Sequence, residues 1–209
     1  ARPYTQVEDM EYKYDIGTGF AFYPKNYDGK YRGTVTLHEA LSNSLNVPAV
    51  RVLQYASLDN FYSFLKQDLR FEPLQPLEKY ELSIALGGLE MDLLTLGNYF
   101  TIFPNEGLLK PLRLSNNDII ELPMSESYDA HWVLDSSYTQ LVTKILSDRQ
   151  TSIDQFGLKS NLNLPATNYA LRAGTSYDYH DSWTIGYTPD FLVGVWLGNS
   201  DNKPMYKLS

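Results

Sequence analysis

Residues 34–48 read TVTLHEALSNSLNVP, and this stretch predicts two short helices joined by a tight turn. Thr36 and Glu39 have the spacing of a capping box, in which each side chain binds a backbone N–H at the start of a helix. Asn46, followed by a proline two residues later, predicts the N-cap of the second helix with Pro in its first turn. Ser44 and Asn46 are therefore expected in the joint between the two helices.

The rest of the chain changes from helical to strand periodicity. Apolar spacing predicts further helices at about 59–69, 77–86 and 92–103, and another after a cap at Asp135. Aromatic and β-branched residues at alternating positions predict strands at 169–173, 182–187 and 191–197. The pattern indicates one α+β domain over 1–209, with an irregular lead-in at 1–33, a mainly helical part at 34–165 and the strands of a sheet at 166–209.

Composition narrows the classes of function. A chain of 209 residues with 43% hydrophobic residues supports one sizeable core, and a formal net charge of -8 argues against nucleic acid as a partner. No apolar run approaches the roughly 20 residues that span a bilayer, so no membrane contact is expected from this segment. The three histidines are far apart in sequence. We therefore expect no metal and no cofactor.

Two short motifs suggest acyl transfer by a serine. Ser44-Leu45-Asn46 is a Ser-x-Asn sequence, and residues 172–176 read RAGTS, a variant of Lys-Thr-Gly-Thr-Ser on a predicted strand. Such motifs accompany the Ser-x-x-Lys nucleophile in β-lactamases and penicillin-binding proteins. Spacing alone favours a plainer reading of Ser44 and Asn46, as a helix end followed by an N-cap.

The flanking sequence is much more specific. Residues 31–51 resemble the transpeptidase domain of class A penicillin-binding proteins around its Ser-x-Asn almost residue for residue. Five further stretches resemble the same family in the same order, namely 85–87, 145–148, 174–176, 181–189 and 194–199. The resemblance covers nearly the whole chain and implies the fold of penicillin-binding transpeptidases and serine β-lactamases, a helical cluster packed on an antiparallel sheet.

The resemblance also implies roles for six residues. In this family the serine matched by Ser44 passes protons between the general base and the leaving amine, and the asparagine matched by Asn46 contacts the substrate's amide. The backbone N–H of the residue matched by Thr175 is one half of the oxyanion hole. These three are the candidate catalytic residues. The candidate substrate-binding residues, on the strand that binds the substrate's terminal carboxylate, are Arg172, Gly174 and Ser176.

Two positions depart from the family pattern. Arg172 stands where the family has Lys, which keeps the positive charge but removes a group able to relay a proton. Ala173 stands where the family has Thr or Ser, which removes one hydroxyl from the carboxylate site. Losing that hydrogen bond costs about 1 to 3 kcal/mol if an acceptor is left unpaired, so weaker binding of substrate and penicillin is expected.

The nucleophile is expected outside these residues. A Ser-x-x-Lys occurs at Ser63 and Lys66, with both side chains on one face of a predicted helix. It follows Ser-x-Asn, whereas in the family the nucleophile motif precedes it, so we interpret it as a chance match. The resemblance implies that the nucleophile segment and the first strands lie upstream of Ala1, that the covering terminal helix follows Ser209, and that the domain is incomplete at both ends.

These observations leave two functions open. The first is part of a serine D,D-transpeptidase that cross-links peptidoglycan stem peptides through an acyl-enzyme and binds β-lactams. It would act on the outer side of the bacterial cytoplasmic membrane and would need the upstream segment that carries Ser-x-x-Lys. The second is a catalytically degenerate module that binds wall peptide or partner proteins without turnover, suggested by Arg172 and Ala173. In either case this chain alone is expected to be inactive.

Overall fold

A computed structural model of the chain describes residues 1–16, 20–113, 119–120, 129–165, 168–176 and 179–206. The chain divides into two compact units, which are described separately. Unit 1 comprises Ala1–Phe64, Pro73–Glu90 and Asp148–Leu164, and unit 2 comprises Leu65–Glu72, Met91–Ser147 and Pro165–Ser209. The expectation of one domain over 1–209 stays a prediction.

Helices and strands both occur along the described residues. The α-helices are α1 (Leu37–Ser42), α2 (Asn46–Ala56), α3 (Leu58–Gln67), α4 (Leu77–Tyr80), α5 (Leu93–Phe100), α6 (Ser136–Leu146) and α7 (Ile153–Phe156), with a 3-10 helix at Glu81–Leu86. The strands are β1 (Gln6–Asp9), β2 (Tyr14–Ile16), β3 (Phe20–Phe22), β4 (Gly33–Thr36), β5 (Leu108–Leu109), β6 (Leu112–Arg113), β7 (Ile119–Ile120), β8 (His131–Trp132), β9 (Ala170–Thr175), β10 (Asp181–Tyr187) and β11 (Leu192–Gly198). The α+β class is confirmed.

Local signals placed most helices correctly. The Thr36–Glu39 capping box is present at the start of α1, and Asp135 caps α6 by accepting a hydrogen bond from the N–H of Ser137. The helix predicted over 92–103 is shorter, because α5 ends at Phe100 and the chain continues in turns. The helix predicted over 77–86 is divided into α4 and the 3-10 helix, and Glu81, the first residue of the 3-10 helix, has a φ of 44°.

The lead-in over 1–33 is more regular than expected. β1 pairs with β4, and β2 pairs with β3, so the prediction of an irregular segment is wrong over these strands. β1 alternates between exposed and buried residues and buries Val7 and Asp9. A pattern of four residues is too short to stand out from its polar surroundings, which explains the error. Residues 23–30 do form a loop, as predicted.

Two apolar clusters hold unit 1 together. One lies beneath α1 and contains Val7, Val35, Ala40 and Leu45. The other joins α2 to the 3-10 helix through Leu53, Tyr80 and Ile84. Because the first cluster packs β1 and β4 against α1 and the residue before α2, it fixes the region in which Ser44 lies.

Unit 2 is built on the antiparallel sheet β11-β10-β9. The three strands lie within about one or two residues of their predicted positions. Helices α5 and α6 pack on one face: Leu93 of α5 reaches the backbone of Gly194, and Thr143 of α6 is hydrogen-bonded to the hydroxyl of Tyr187 at 2.9 Å. A side chain at residue 194 would lie 3.1 Å from Leu93, so glycine there allows the helix its close approach.

The opposite face of β11 is apolar and exposed. Four side chains on this strand and the residue before it point to that face with exposed fractions of 45–65%, namely Phe191, Val193, Val195 and Leu197. Within the described residues β11 pairs only with β10. Among these residues β11 therefore combines an exposed apolar face with an unpaired strand edge, two features that favour association.

Candidate functional site

Ser44 occupies the turn between α1 and α2 in an unusual backbone conformation. Its φ is 53°, in the left-handed region that non-glycine residues rarely adopt. Its N–H donates to the carbonyl of Leu41 at 3.3 Å, which closes the last turn of α1. Left-handed residues other than glycine cluster at functional sites, where the surrounding structure holds them in place. Six other described non-glycine residues also have a positive φ, and a left-handed residue commonly follows the last turn of a helix, so the site role of Ser44 rests on its motif and not on its conformation.

The α1 side of this turn is anchored to a segment more than a hundred residues later. Asn43 is buried, and its side-chain Nδ2 donates to the carbonyl of Glu39 at 3.1 Å and to that of Thr151 at 2.8 Å. His38 binds Asp148, with 2.9 Å between Nε2 and Oδ2. Both ends of α1 are thus tied to the turn at 148–151, which limits how far the backbone at residue 44 can relax.

Two carboxylates in this region are stabilised in their charged form. Burial acts to raise the pKa of Asp148, but hydrogen bonds from Thr151 and from His38 outweigh it, and the net pKa is lowered. Hydrogen bonds from the backbone and side chain of Thr36 lower the pKa of Glu39. Both groups therefore favour the folded state in their ionised form.

Asn46 is the first residue of α2 and not its N-cap, so that prediction is wrong. Leu45 occupies the N-cap position and makes no side-chain hydrogen bond to the helix. The capping oxygen comes instead from Asn26 in the 23–30 loop, whose Oδ1 accepts from the N–H of Asn46 at 2.8 Å and from that of Val47 at 3.3 Å. Because the cap comes from a distant residue, local pattern assigned it to the nearest suitable side chain. The side-chain Nδ2 of Asn46 donates to the carbonyl of Lys25 at 2.8 Å.

The second candidate group lies on β9, an edge strand of the described sheet. Arg172 is opposite Ile185 and Gly174 is opposite Trp183. Directly opposite residues share a face, so Arg172 and Gly174 lie on the face against which α5 and α6 pack, although Gly174 itself is exposed. Arg172 is half-buried, and burial lowers the pKa of its guanidinium.

The other face of β9 carries hydroxyl groups. Thr175 is exposed and opposite Ser182, and Ala173 is opposite Thr184. Ala173 therefore lies between the buried Leu171 and Thr175 along the strand, with Thr184 opposite it.

Ser176 follows β9 and is hydrogen-bonded to the first residue of β10. Its Oγ accepts from the N–H of Asp181 at 2.7 Å, and its own N–H donates to the carbonyl of Asp181 at 2.9 Å. The Asp181 carboxylate in turn accepts from the indole N–H of Trp196 at 2.8 Å. The Ser176 hydroxyl retains its own proton to donate to a ligand.

The Ser-x-x-Lys of α3 does not have the surroundings of an active site. Ser63 and Lys66 are both exposed, and Lys66 pairs with Glu72, with 3.7 Å between Nζ and Oε2. A lysine that activates a serine must lie within hydrogen-bond reach in a partly desolvated site. These observations support the interpretation of this motif as a chance match.

The predicted site residues fall into two groups. Ser44 and Asn46 lie together in unit 1, and Arg172, Gly174, Thr175 and Ser176 lie together in unit 2. Sequence reasoning missed Asn26 and Asp9, which support the first group and are described further below. Among the described residues, no group of three or more His, Asp or Glu could hold a metal ion. No helix in the described ranges is long and apolar enough to cross a membrane.

Comparison with known proteins identifies relatives of this chain. No protein-family model matches it. The chain is 30% identical to penicillin-binding protein 1C of Escherichia coli over 183 residues, which is 87% of this chain and 22% of that relative. Among solved structures, penicillin-binding protein 1A of Haemophilus influenzae aligns with a TM-score of 0.76 at 19% identity, over 96% of this chain and 35% of that one.

A second structure extends the comparison. The PonA1 protein of Mycobacterium tuberculosis in complex with penicillin V aligns with a TM-score of 0.72 at 17% identity, over 98% of this chain and 57% of that one. The solved structures are similar to the chain in fold, and the curated relative is similar to it in sequence. The chain therefore belongs to the class A penicillin-binding protein family and has the fold of the family's transpeptidase domain.

Proposed function

We propose that this chain is part of a serine D,D-transpeptidase that cross-links peptidoglycan stem peptides through an acyl-enzyme and is acylated by penicillin. The observation that carries the proposal is the location of Ser44 and Asn46 at the joint between α1 and α2, within the stretch that resembles the family most closely and tied to Thr151 through Asn43 and to Asn26. The chain spans 22% of the curated relative reported above, so the activity is proposed for the complete protein. The relatives do not favour the non-catalytic binding module.

In the proposed reaction, the Oγ of a serine on the upstream segment attacks the donor's carbonyl carbon, and the leaving amine departs with a proton. The Ser44 hydroxyl can accept one proton and donate another, so it can pass the proton lost by the nucleophile to the leaving nitrogen. The acceptor amine of a second stem peptide then attacks the ester and forms the cross-link. With penicillin, the leaving nitrogen stays tethered to the acyl group, which keeps the ester in place.

The strand residues have a different task. The guanidinium of Arg172 supplies positive charge toward the donor's terminal carboxylate, and the hydroxyl of Ser176 offers a hydrogen bond. The N–H of Thr175 supplies one donor to the oxyanion that develops on the attacked carbonyl. The reaction needs no cofactor, and the complete protein would act on the outer side of the cytoplasmic membrane, where its substrate is found.

The test uses the complete protein and a fluorescent penicillin. Ser44→Ala should lower the acylation rate by a factor of about 100 to 10,000, the usual contribution of a positioned proton-transfer group. Ser63→Ala is the matched control and should label at the wild-type rate. If Ser44→Ala is labelled as fast as the wild type, Ser44 has no part in proton transfer and the proposed site is wrong.

A further inference from the structure

Asn26 binds every free N–H group in the first turn of α2. Its Oδ1 accepts from the N–H of Asn46 at 2.8 Å and from that of Val47 at 3.3 Å. The third residue of the helix, Pro48, has no N–H. The N-cap residue contributes no side-chain bond. One side chain from twenty residues upstream therefore does the work that a helix usually assigns to its own N-cap.

The amide of Asn26 can adopt only one orientation. Its Nδ2 lies 2.7 Å and 2.9 Å from the two carboxylate oxygens of Asp9 and donates to the carbonyl of Lys30 at 2.8 Å. A carboxylate and a carbonyl only accept, and the two helix N–H groups only donate, so exchanging the oxygen and nitrogen of the amide would break all of these bonds. Asn26 is 4% exposed and uses its full hydrogen-bonding capacity.

Asp9 holds the side-chain amide of Asn26 in this orientation. It is fully buried at the end of β1, and its Oδ2 also accepts from the backbone N–H of Arg32 at 2.9 Å. A buried carboxylate is costly to desolvate, and it is retained where its hydrogen bonds are satisfied. Asp9 thus links β1 and the segment before β4 to the amide that caps α2.

The same loop also holds the side chain of Asn46. Its Nδ2 donates to the carbonyl of Lys25 at 2.8 Å, next to the residue that binds its backbone N–H. One of the two amide protons of Asn46 is thereby engaged, while its Oδ1 and its second N–H remain able to bind a substrate amide. Consecutive residues, Lys25 and Asn26, therefore set both the position and the rotation of the Asn46 amide.

We propose that Asn26, oriented by Asp9, is a positioning residue that aligns the Asn46 amide with the amide of the acyl donor. The inference rests on the proposed function, in which Asn46 contacts that amide. When the Asn26 side chain is removed, the first turn of α2 loses two hydrogen bonds and the loop loses its tie to Asp9, so the Lys25 carbonyl that binds the Asn46 side chain is no longer fixed against α2. The acylation rate should therefore fall mainly for acyl donors that carry this amide.

The experiment compares two donors on the complete protein. Benzylpenicillin carries an acylamino group, whereas 6-aminopenicillanic acid has a free amine in its place. Second-order acylation rates are measured for both by competition with a fluorescent penicillin. Asn26→Ala should slow acylation by benzylpenicillin about 10- to 100-fold, as a misplacement of about 1 Å does, and should slow 6-aminopenicillanic acid at least about fivefold less.

Two further variants keep the test valid if Asn26→Ala does not fold. Asn26→Asp retains the oxygen that caps α2 but places a second carboxylate against Asp9. The double variant with Asp9→Asn, called the exchange variant, again places an amide N–H opposite a carboxylate. It should recover part of the acylation rate that is lost selectively with benzylpenicillin. Asp92→Ala, which removes the N-cap of α5, is the control for a lost helix cap and should leave the ratio of the two rates unchanged.

The outcomes separate the two proposals. A selective loss with benzylpenicillin that the exchange variant partly recovers supports the positioning role. Equal losses with both donors, or an exchange variant no better than Asn26→Asp, would overturn it while leaving the transpeptidase proposal intact. A wild-type protein that neither donor acylates would refute the proposed function and this inference together.

Discussion

Restoring a hydroxyl at Ala173 is the sharpest test of the strand site. Ala173 lies on β9 opposite Thr184 and on the same face as Thr175. Ala173→Thr would add a hydroxyl next to other hydroxyl residues. From there it can donate a hydrogen bond to the carboxylate of the acyl donor. A hydrogen bond to a charged group contributes about 1.5 to 3 kcal/mol. If the bond forms in the transition state, acylation by benzylpenicillin should become roughly 10- to 150-fold faster.

The assay is competition labelling of the complete protein with a fluorescent penicillin. Ala173→Val is the matched control, because valine has the shape and strand preference of threonine but no hydroxyl. The threonine variant should be faster than both the wild type and the valine variant. If Ala173→Thr is no faster than Ala173→Val, a hydroxyl at residue 173 does not bind the carboxylate, and the weakened binding expected from Ala173 is wrong.

Three further predictions address the nucleophile, the α1 anchor and the exposed strand. The 209-residue chain alone should form no covalent penicillin adduct, and an acyl group mapped to Ser63 by mass spectrometry would contradict this. Because its pKa is lowered, Asp148 stabilises the fold above its ordinary pKa and loses this effect as the pH falls through the lowered value. Asp148→Asn should therefore unfold at a lower temperature than the wild type at pH 7 but lose less stability on acidification. His38→Ala should also unfold at a lower temperature at pH 7. Unchanged melting curves would show that the His38–Asp148 contact does not stabilise the fold. Val193→Lys with Val195→Lys should reduce light scattering by the isolated chain, since charges on an edge strand oppose association; unchanged scattering would show that another surface is responsible.

Local chemistry explains which elements the sequence predicts well. The capping box at Thr36 and Glu39 and the cap at Asp135 depend on residues within three positions of each other, so both can be identified from spacing. The strands of the sheet follow from the alternation of aromatic and β-branched residues, and the turn between β10 and β11 is closed by the N–H of Thr188, which donates to the carbonyl of Phe191 at 2.9 Å. In each case the determining contacts are close in sequence.

Contacts between distant residues account for what the sequence does not reveal. Asn26 lies in a stretch rich in turn-forming residues and has the composition of an ordinary loop asparagine. Its partners are Asp9, 17 residues before it, and Asn46, 20 residues after it. No periodicity links these three positions, and a single aspartate at the end of a four-residue strand is indistinguishable from a surface charge until the fold buries it.

The same distinction explains why one serine motif is supported by its surroundings and the other is not. Holding Ser44 in a left-handed conformation costs about 1 to 2 kcal/mol. That cost persists because the flanking turn is tied on one side to Thr151 through Asn43 and on the other to Asn26 through the start of α2. Ser63 lies on the exposed surface of a regular helix, where no comparable constraint fixes its backbone. Distant buried polar groups therefore hold the three-residue Ser-x-Asn motif in a conformation that it would not adopt alone.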